Sequence, residues 1–156
     1  MIKQIDLSDI LLVGELYQMQ KASYLIEARL IGFFEIPPLK ETIQELIDCN
    51  ETFIGYFEKG ELAGALSYIA KERELTICRM FVHPTHFRKG IARKLLVYLE
   101  EMSFDITTFI VSTGKDNVPA KSLYLEFGFQ FIRDHEVVSG FFISFFEKNK
   151  QHQDYS

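Results

Sequence analysis

Residues 81–96, FVHPTHFRKGIARKLL, combine a strand-to-helix turn with basic side chains, a pattern suited to holding an anion. The apolar, partly β-branched run 75–82 reads as a buried strand that Pro84 stops. Beyond Gly90, the apolar residues Ile91, Leu95, Leu96, Leu99 and Met102 recur at helical spacing, with Arg93, Lys94, Glu100 and Glu101 on the other face. The first N–H groups of that helix have no partner within it, and the helix dipole adds positive charge there, so a phosphate is a suitable guest. Gly90 lets the backbone approach such a ligand, Ala92 keeps the first turn narrow, and Arg88, Lys89, Arg93 and Lys94 surround it with charge. The dinucleotide fingerprint needs three glycines where only Gly90 stands, and a P-loop needs Gly before Lys and a hydroxyl after it, so spacing rejects both.

Two further residue types bear on chemistry. Cys49 and Cys78 match no metal spacing, and Cys78, without a visible His or Asp partner, is expected to be a small buried apolar residue. Downstream, Asn117, Ala120, Leu123, Tyr124, Gly128 and Phe129 form a second constellation: Asn117 can cap a helix, Pro119 lies just inside it, and Gly128 ends it.

Phe87-Arg88-Lys89-Gly90-Ile91-Ala92 resembles the pyrophosphate-binding motif [QR]xxGx[GA] of the GCN5-related N-acetyltransferase (GNAT) superfamily, with Phe87 where Gln or Arg is usual. The segment from Asn117 to Phe129 resembles NxxAxxLYxxxGF of the same superfamily, in the same order and one strand further on. The resemblance implies acetyl-CoA as cosubstrate and no metal. Its pyrophosphate would lie on the amides of Arg88, Lys89, Gly90, Ile91 and Ala92, its pantetheine arm beside Met80, Phe81 and Val82, with Asn117 touching the arm. It also implies that Tyr124 is a general acid for the departing thiolate, since a phenol stays protonated at neutral pH, and that a backbone N–H of residues 80–82 polarises the acetyl carbonyl. Many relatives keep a Glu six residues before Val82, but Thr76 stands there and cannot be a carboxylate base. The nearest acids, Glu72 and Glu74, and His83 are more readily solvated strand-end residues, so the base stays unassigned. Glu27 and the loop from Phe33 to Leu39, Phe33 and Phe34 first, fall where related folds place acceptor recognition, and an acid there suits a cationic amine.

These groups need a scaffold. With 156 residues, 47% of them hydrophobic, one domain over residues 1–147 with a polar tail over 148–156 is expected. A net charge of −5 argues against nucleic acid or an anionic membrane as partner. No basic leader precedes an apolar run, no apolar stretch reaches membrane-spanning length, and the cysteine usage suits a reducing compartment, so a cytoplasmic protein is expected. Its partners would be a small-molecule or peptide amine, with a homodimer left open.

The pattern predicts a strand over 1–5, a helix from Asp6 or Ser8 to about residue 19, and a second helix over 22–31 ended by Gly32. A stiff, proline-bearing apolar loop over 33–39 and a short helix over 40–48 follow. Strands are then predicted over 52–57, 62–70 and 75–82, a helix over 90–102, a strand over 106–112, a helix through Pro119 to Phe127, and strands over 129–134 and 141–146. Together they predict an α/β fold: a mixed, mostly antiparallel, splayed sheet with helices on both faces, as the GNAT resemblance also implies. A CoA-binding regulatory module with little turnover is the rival reading, motivated by Thr76 and Phe87.

Overall fold

A computed structural model describes residues 1–103 and 105–150. Its elements are β1 (Ile2–Gln4), α1 (Ile10–Ile31), α2 (Pro37–Lys40), α3 (Ile43–Ile47), β2 (Thr52–Glu58), β3 (Glu61–Lys71), β4 (Glu74–Val82), a 3-10 turn (Pro84–His86), α4 (Ile91–Met102), β5 (Thr108–Gly114), α5 (Val118–Glu126), β6 (Gln130–Val138) and β7 (Phe141–Asn149). The seven strands form one sheet in the order β1-β2-β3-β4-β5-β7-β6. Only the β4–β5 pairing is parallel, and it spans four register pairs, from Glu74↔Thr108 to Ile77↔Val111. Beyond Ile77 the two strands part, while β5 stays paired with β7 as far as Gly114. The predicted splayed, mostly antiparallel sheet is present.

Each face of the sheet has its own core. On one, Leu66, Leu75, Ile77, Phe109 and Val111 pack against Ile91, Leu95, Leu96 and Leu99 of α4 and Tyr124 of α5. On the other, Phe53, Phe57, Ala65 and Phe81 pack against Leu16 and Met19 of α1 and Leu46 of α3. A small third cluster joins Ala28, Ile36 and Phe141.

Several expectations are corrected. The two helices predicted over the first 31 residues are one, 22 residues long and capped by Gly32 in the left-handed region. Polar Gln20 and Lys21 interrupt the apolar pattern, but Gln20 is fully buried against Glu41 and Arg79, and Lys21 Nζ donates to the carbonyl of Leu39. The proline-bearing loop includes a helical turn, α2, because Pro37 and Pro38 occupy its first two positions, where no N–H partner is required. β5 runs two residues later than expected at both ends, since β7 supplies partners for Thr113 and Gly114. The expected tail begins inside β7, whose Lys148 Nζ donates to Glu100 and to the carbonyl of Phe127; residues 151–156 lie outside the described residues. Among the described residues no helix is long and apolar enough to cross a membrane.

Candidate active site

Where β4 and β5 part, a cavity of about 690 Å³ opens between α1, α4, α5 and the strand ends. A bulge shapes its β4 wall. Ser67 pairs with Arg79 and Tyr68 with Ile77, leaving Cys78 unpaired between them. The extra residue resets the alternation: Leu75 and Ile77 face α4, whereas past the bulge Met80 and Val82 take that face and Phe81 packs towards α1. The N–H of His83 donates to the carbonyl of Ala63, so main-chain groups of alternate residues 79, 81 and 83 point to β3. Those of Met80 and Val82 therefore point into the gap, where Tyr24 of α1 also lines the cavity.

At one mouth lies the turn into α4. Arg88 and Gly90 both adopt left-handed backbone, with φ of 67° and 73°. Gly90 is the N-cap, and no side chain caps the helix, so its first N–H groups are open to a ligand. A Cβ at Gly90 would meet nothing within 4 Å, so the glycine is there for its φ and for backbone access. Phe87, Arg88, Gly90, Ile91, Ala92 and Arg93 line the cavity. Lys89 does not: its ammonium sits 3.5 Å from Glu58, which also receives His86 at 2.9 Å.

At the apex stands Tyr124, 3% exposed, with its ring 5.8 Å from Phe129 and 6.0 Å from Phe146. Burial, and then the charge of Glu27, raise its pKa, so it remains a phenol at neutral pH. Glu27 enters from α1. Thr113 Oγ1 donates to it at 3.4 Å, with the Asn117 side chain and the Gly114 backbone beside it. Burial outweighs these donors and raises its carboxyl above the ordinary range. Asn117 also caps α5, its Oδ1 accepting from Ala120 N at 3.2 Å. Tyr24 completes the group, its hydroxyl raised by burial and then by the charge of Glu27.

The structure thus brings Met80, Phe81, Val82, Arg88, Gly90, Ile91, Ala92, Asn117, Tyr124 and Glu27 to one cavity. Phe33 and Phe34 lie outside it: Phe33 stacks on Phe141 at 4.7 Å, and Phe34 is 52% exposed. Their neighbours Ile36, Pro37 and Pro38 form that wall instead. Thr76 sits below the opening, paired between Ile69 and Ile110. Cys78 is exposed rather than buried, because the bulge lifts it out of the ladder; burial of the thiol itself still raises it to about 11, which keeps it protonated and a poor nucleophile. Tyr24 and Arg79 were not singled out in the sequence; they reach the cavity only through the folding of α1 onto the bulged strand.

The residues fit acetyl-CoA. Open helix N–H groups and Arg88 match a pyrophosphate, and the free edge of β4 offers main-chain partners to an amide-bearing arm.

Residues 14–129 match the Acetyltransferase (GNAT) family. The chain is 36% identical over 146 residues to the UPF0157 protein YqkA of Bacillus subtilis (strain 168), a match covering 94% of this chain and 43% of that protein. The chain therefore spans less than half the length of this curated relative. Among solved structures it is similar to the PaiA N-acetyltransferase of Thermoplasma acidophilum in complex with coenzyme A, with TM-score 0.77 and 18% identity, covering 96% of this chain and 98% of that one. It is similar also to the ribosomal-protein-S18-alanine N-acetyltransferase of Escherichia coli, with TM-score 0.77 and 14% identity over 100% of this chain and 98% of that one. At these identities the structural likeness is one of fold.

Proposed function

The chain belongs to the acetyltransferase (GNAT) family, and on that premise we propose that it transfers the acetyl group of acetyl-CoA to a primary amine by direct attack in a ternary complex. The observation that carries this reading is the convergence on one cavity of an uncapped, glycine-led helix start, a strand edge with free main-chain groups, and a buried phenol. Bound acetyl-CoA supplies an acetyl group activated as a thioester. Arg88 and the first N–H groups of α4 hold the pyrophosphate, and the gap-facing groups of Met80 and Val82 orient the arm. The gap-facing Met80 N–H is the donor that polarises the acetyl carbonyl. Tyr124 is the phenol that protonates the departing sulfur. The protonated thiol of Cys78 supports direct transfer over an acyl-cysteine route.

Thiol release from acetyl-CoA over a panel of amines tests this reading, with calorimetry reporting acetyl-CoA binding. Tyr124→Phe is expected to lower kcat by about 100-fold while leaving acetyl-CoA affinity within about threefold, the mark of an acid used only in the chemical step. Binding with no thiol release on any amine supports the regulatory-module alternative instead, and absence of binding overturns both.

A further inference from the structure

Glu27 faces the cavity with hydrogen-bond donors but no cation. The Thr113 hydroxyl donates to the carboxylate at 3.4 Å, the Asn117 side chain and the Gly114 backbone lie beside it, and among the described residues no Lys, Arg or His forms an ion pair with it. Arg79, which also lines the cavity, is already engaged by Glu41 and Glu51. The one other carboxylate lining the cavity, Glu126, is exposed at the far end of α5. Apolar side chains also line the cavity: Ile26 and Leu30 from α1, Ile36 and Pro38 at the start of α2, and Phe141 and Ile143 from β7, with Ile36, Phe141 and Ile143 clustered about Ala28, the residue after Glu27. These side chains lie on the α1 and β7 side of the cavity, away from the turn into α4.

A half-buried carboxylate with neutral donors and no counter-ion is stabilised when a cation arrives with the ligand. One carboxylate in an apolar surround matches one ammonium on an apolar body; a polyamine would leave further charges facing Ile36 or Phe141. We propose that Glu27 is the residue that binds the acceptor's ammonium and takes its proton, and that the acceptor is a monoamine with an apolar body. This rests on the acetyl-transfer reading above. In the step, Glu27 accepts one proton of the ammonium and later releases it to solvent. The freed nitrogen bonds to the acetyl carbon as that carbon's bond to sulfur breaks. Tyr124 gives its proton to the sulfur and regains one from the nitrogen, which keeps its last hydrogen in the amide. The titratable groups facing Glu27 are Tyr24 on its own helix and Tyr124 on α5, both phenols at neutral pH, so the carboxylate alone changes charge there between acid and neutral conditions.

The test uses the full chain with saturating acetyl-CoA and hexylamine, phenethylamine and spermidine as probes. Hexylamine and phenethylamine are expected to exceed spermidine in kcat/KM by about 10-fold or more, the discrimination an apolar pocket achieves. Glu27→Gln, near-isosteric and still able to accept from Thr113, is expected to lower kcat/KM for both monoamines by about 100-fold with acetyl-CoA affinity unchanged. Its acidic limb in the kcat/KM profile should move up towards the amine's own pKa, a shift that a merely structural role would not produce. Unchanged kcat/KM and pH profile in the variant, or preference for spermidine, would overturn the proposal while leaving acetyl transfer standing. If the wild-type chain releases no thiol with any amine, the acetyl-transfer reading falls by itself, and calorimetry of hexylamine into the CoA-saturated protein decides the ammonium site. Heat in the wild type that is lost in Glu27→Gln supports that site, and equal heats or none in the wild type overturn it.

Discussion

Glu27 burdens the free protein, and its effect on stability has a definite sign. Its carboxyl is raised above the ordinary 4.5, first by burial, against the opposing hydrogen bonds of Asn117, Gly114 and Thr113. The folded chain therefore keeps this proton to higher pH than the unfolded chain, so stability falls as pH climbs from 4.5 through the raised value, and the full penalty is present above it. Glu27→Gln removes the charge and keeps the acceptor. The variant is expected to melt a few degrees above the wild type at pH 7.5, with the margin closing at pH 4, as thermal unfolding at the two pH values would reveal. A site residue whose neutral substitution stabilises the fold carries a functional load rather than a structural one.

At the scale of elements, the position of α4 on the sheet decides where the turn into α4 stands. Gly64 of β3 makes that docking close: a Cβ there would lie 2.7 Å from Ile91 Cγ2 and 3.4 Å from the Phe81 carbonyl. Ile91 is the first residue of α4 and its Cγ2 branches from Cβ, so relief requires the helix start to move rather than a side-chain end to swing. Gly64→Ala is expected to weaken acetyl-CoA binding by about 10-fold or more at a stability cost of about 1–3 kcal/mol, through overpacking at the one helix terminus that matters. Calorimetry with acetyl-CoA beside urea unfolding separates the two effects; unchanged affinity would show that the turn moves independently of α4.

Across the whole molecule, Arg79 ties the α1 side of the cavity to the sheet. Its guanidinium donates to Glu41 ahead of α3, to Glu51 ahead of β2 and to Gln20 of α1. The side chains of Arg79, Glu41 and Glu51 are only 11%, 16% and 12% exposed. Burial by itself would raise the Glu41 carboxyl, but Arg79 and Gln20 outweigh it and hold the group below its ordinary value. That stabilisation is present above the ordinary 4.5 and is lost as pH falls through the depressed value. Arg79→Met strands two carboxylates out of water and is expected to cost about 3–5 kcal/mol in urea unfolding, whereas breaking the exposed Lys40–Glu35 pair with Lys40→Ala should cost under about 1 kcal/mol. Equal losses from the two variants would contradict a keystone role for the cluster.

The parts of this protein that its sequence determined are those whose causes are local. Turn chemistry and apolar period placed the uncapped start of α4, the Asn117 cap of α5, the β2–β3 hairpin and the β4–α4–β5 crossover, because each depends on residues a few positions apart. The tertiary structure alone decided the rest. α1 runs unbroken because its polar middle finds partners in Glu41, Leu39 and Arg79, and Cys78 leaves the ladder because β3 and β4 differ by one residue across the bulge. Thr113 and Gly114 read as turn residues until β7 pairs with them, which brings the Thr113 hydroxyl to Glu27 from 86 residues away. No periodicity reports a contact of that separation; it exists only once two sheet faces and the gap between β4 and β5 have formed.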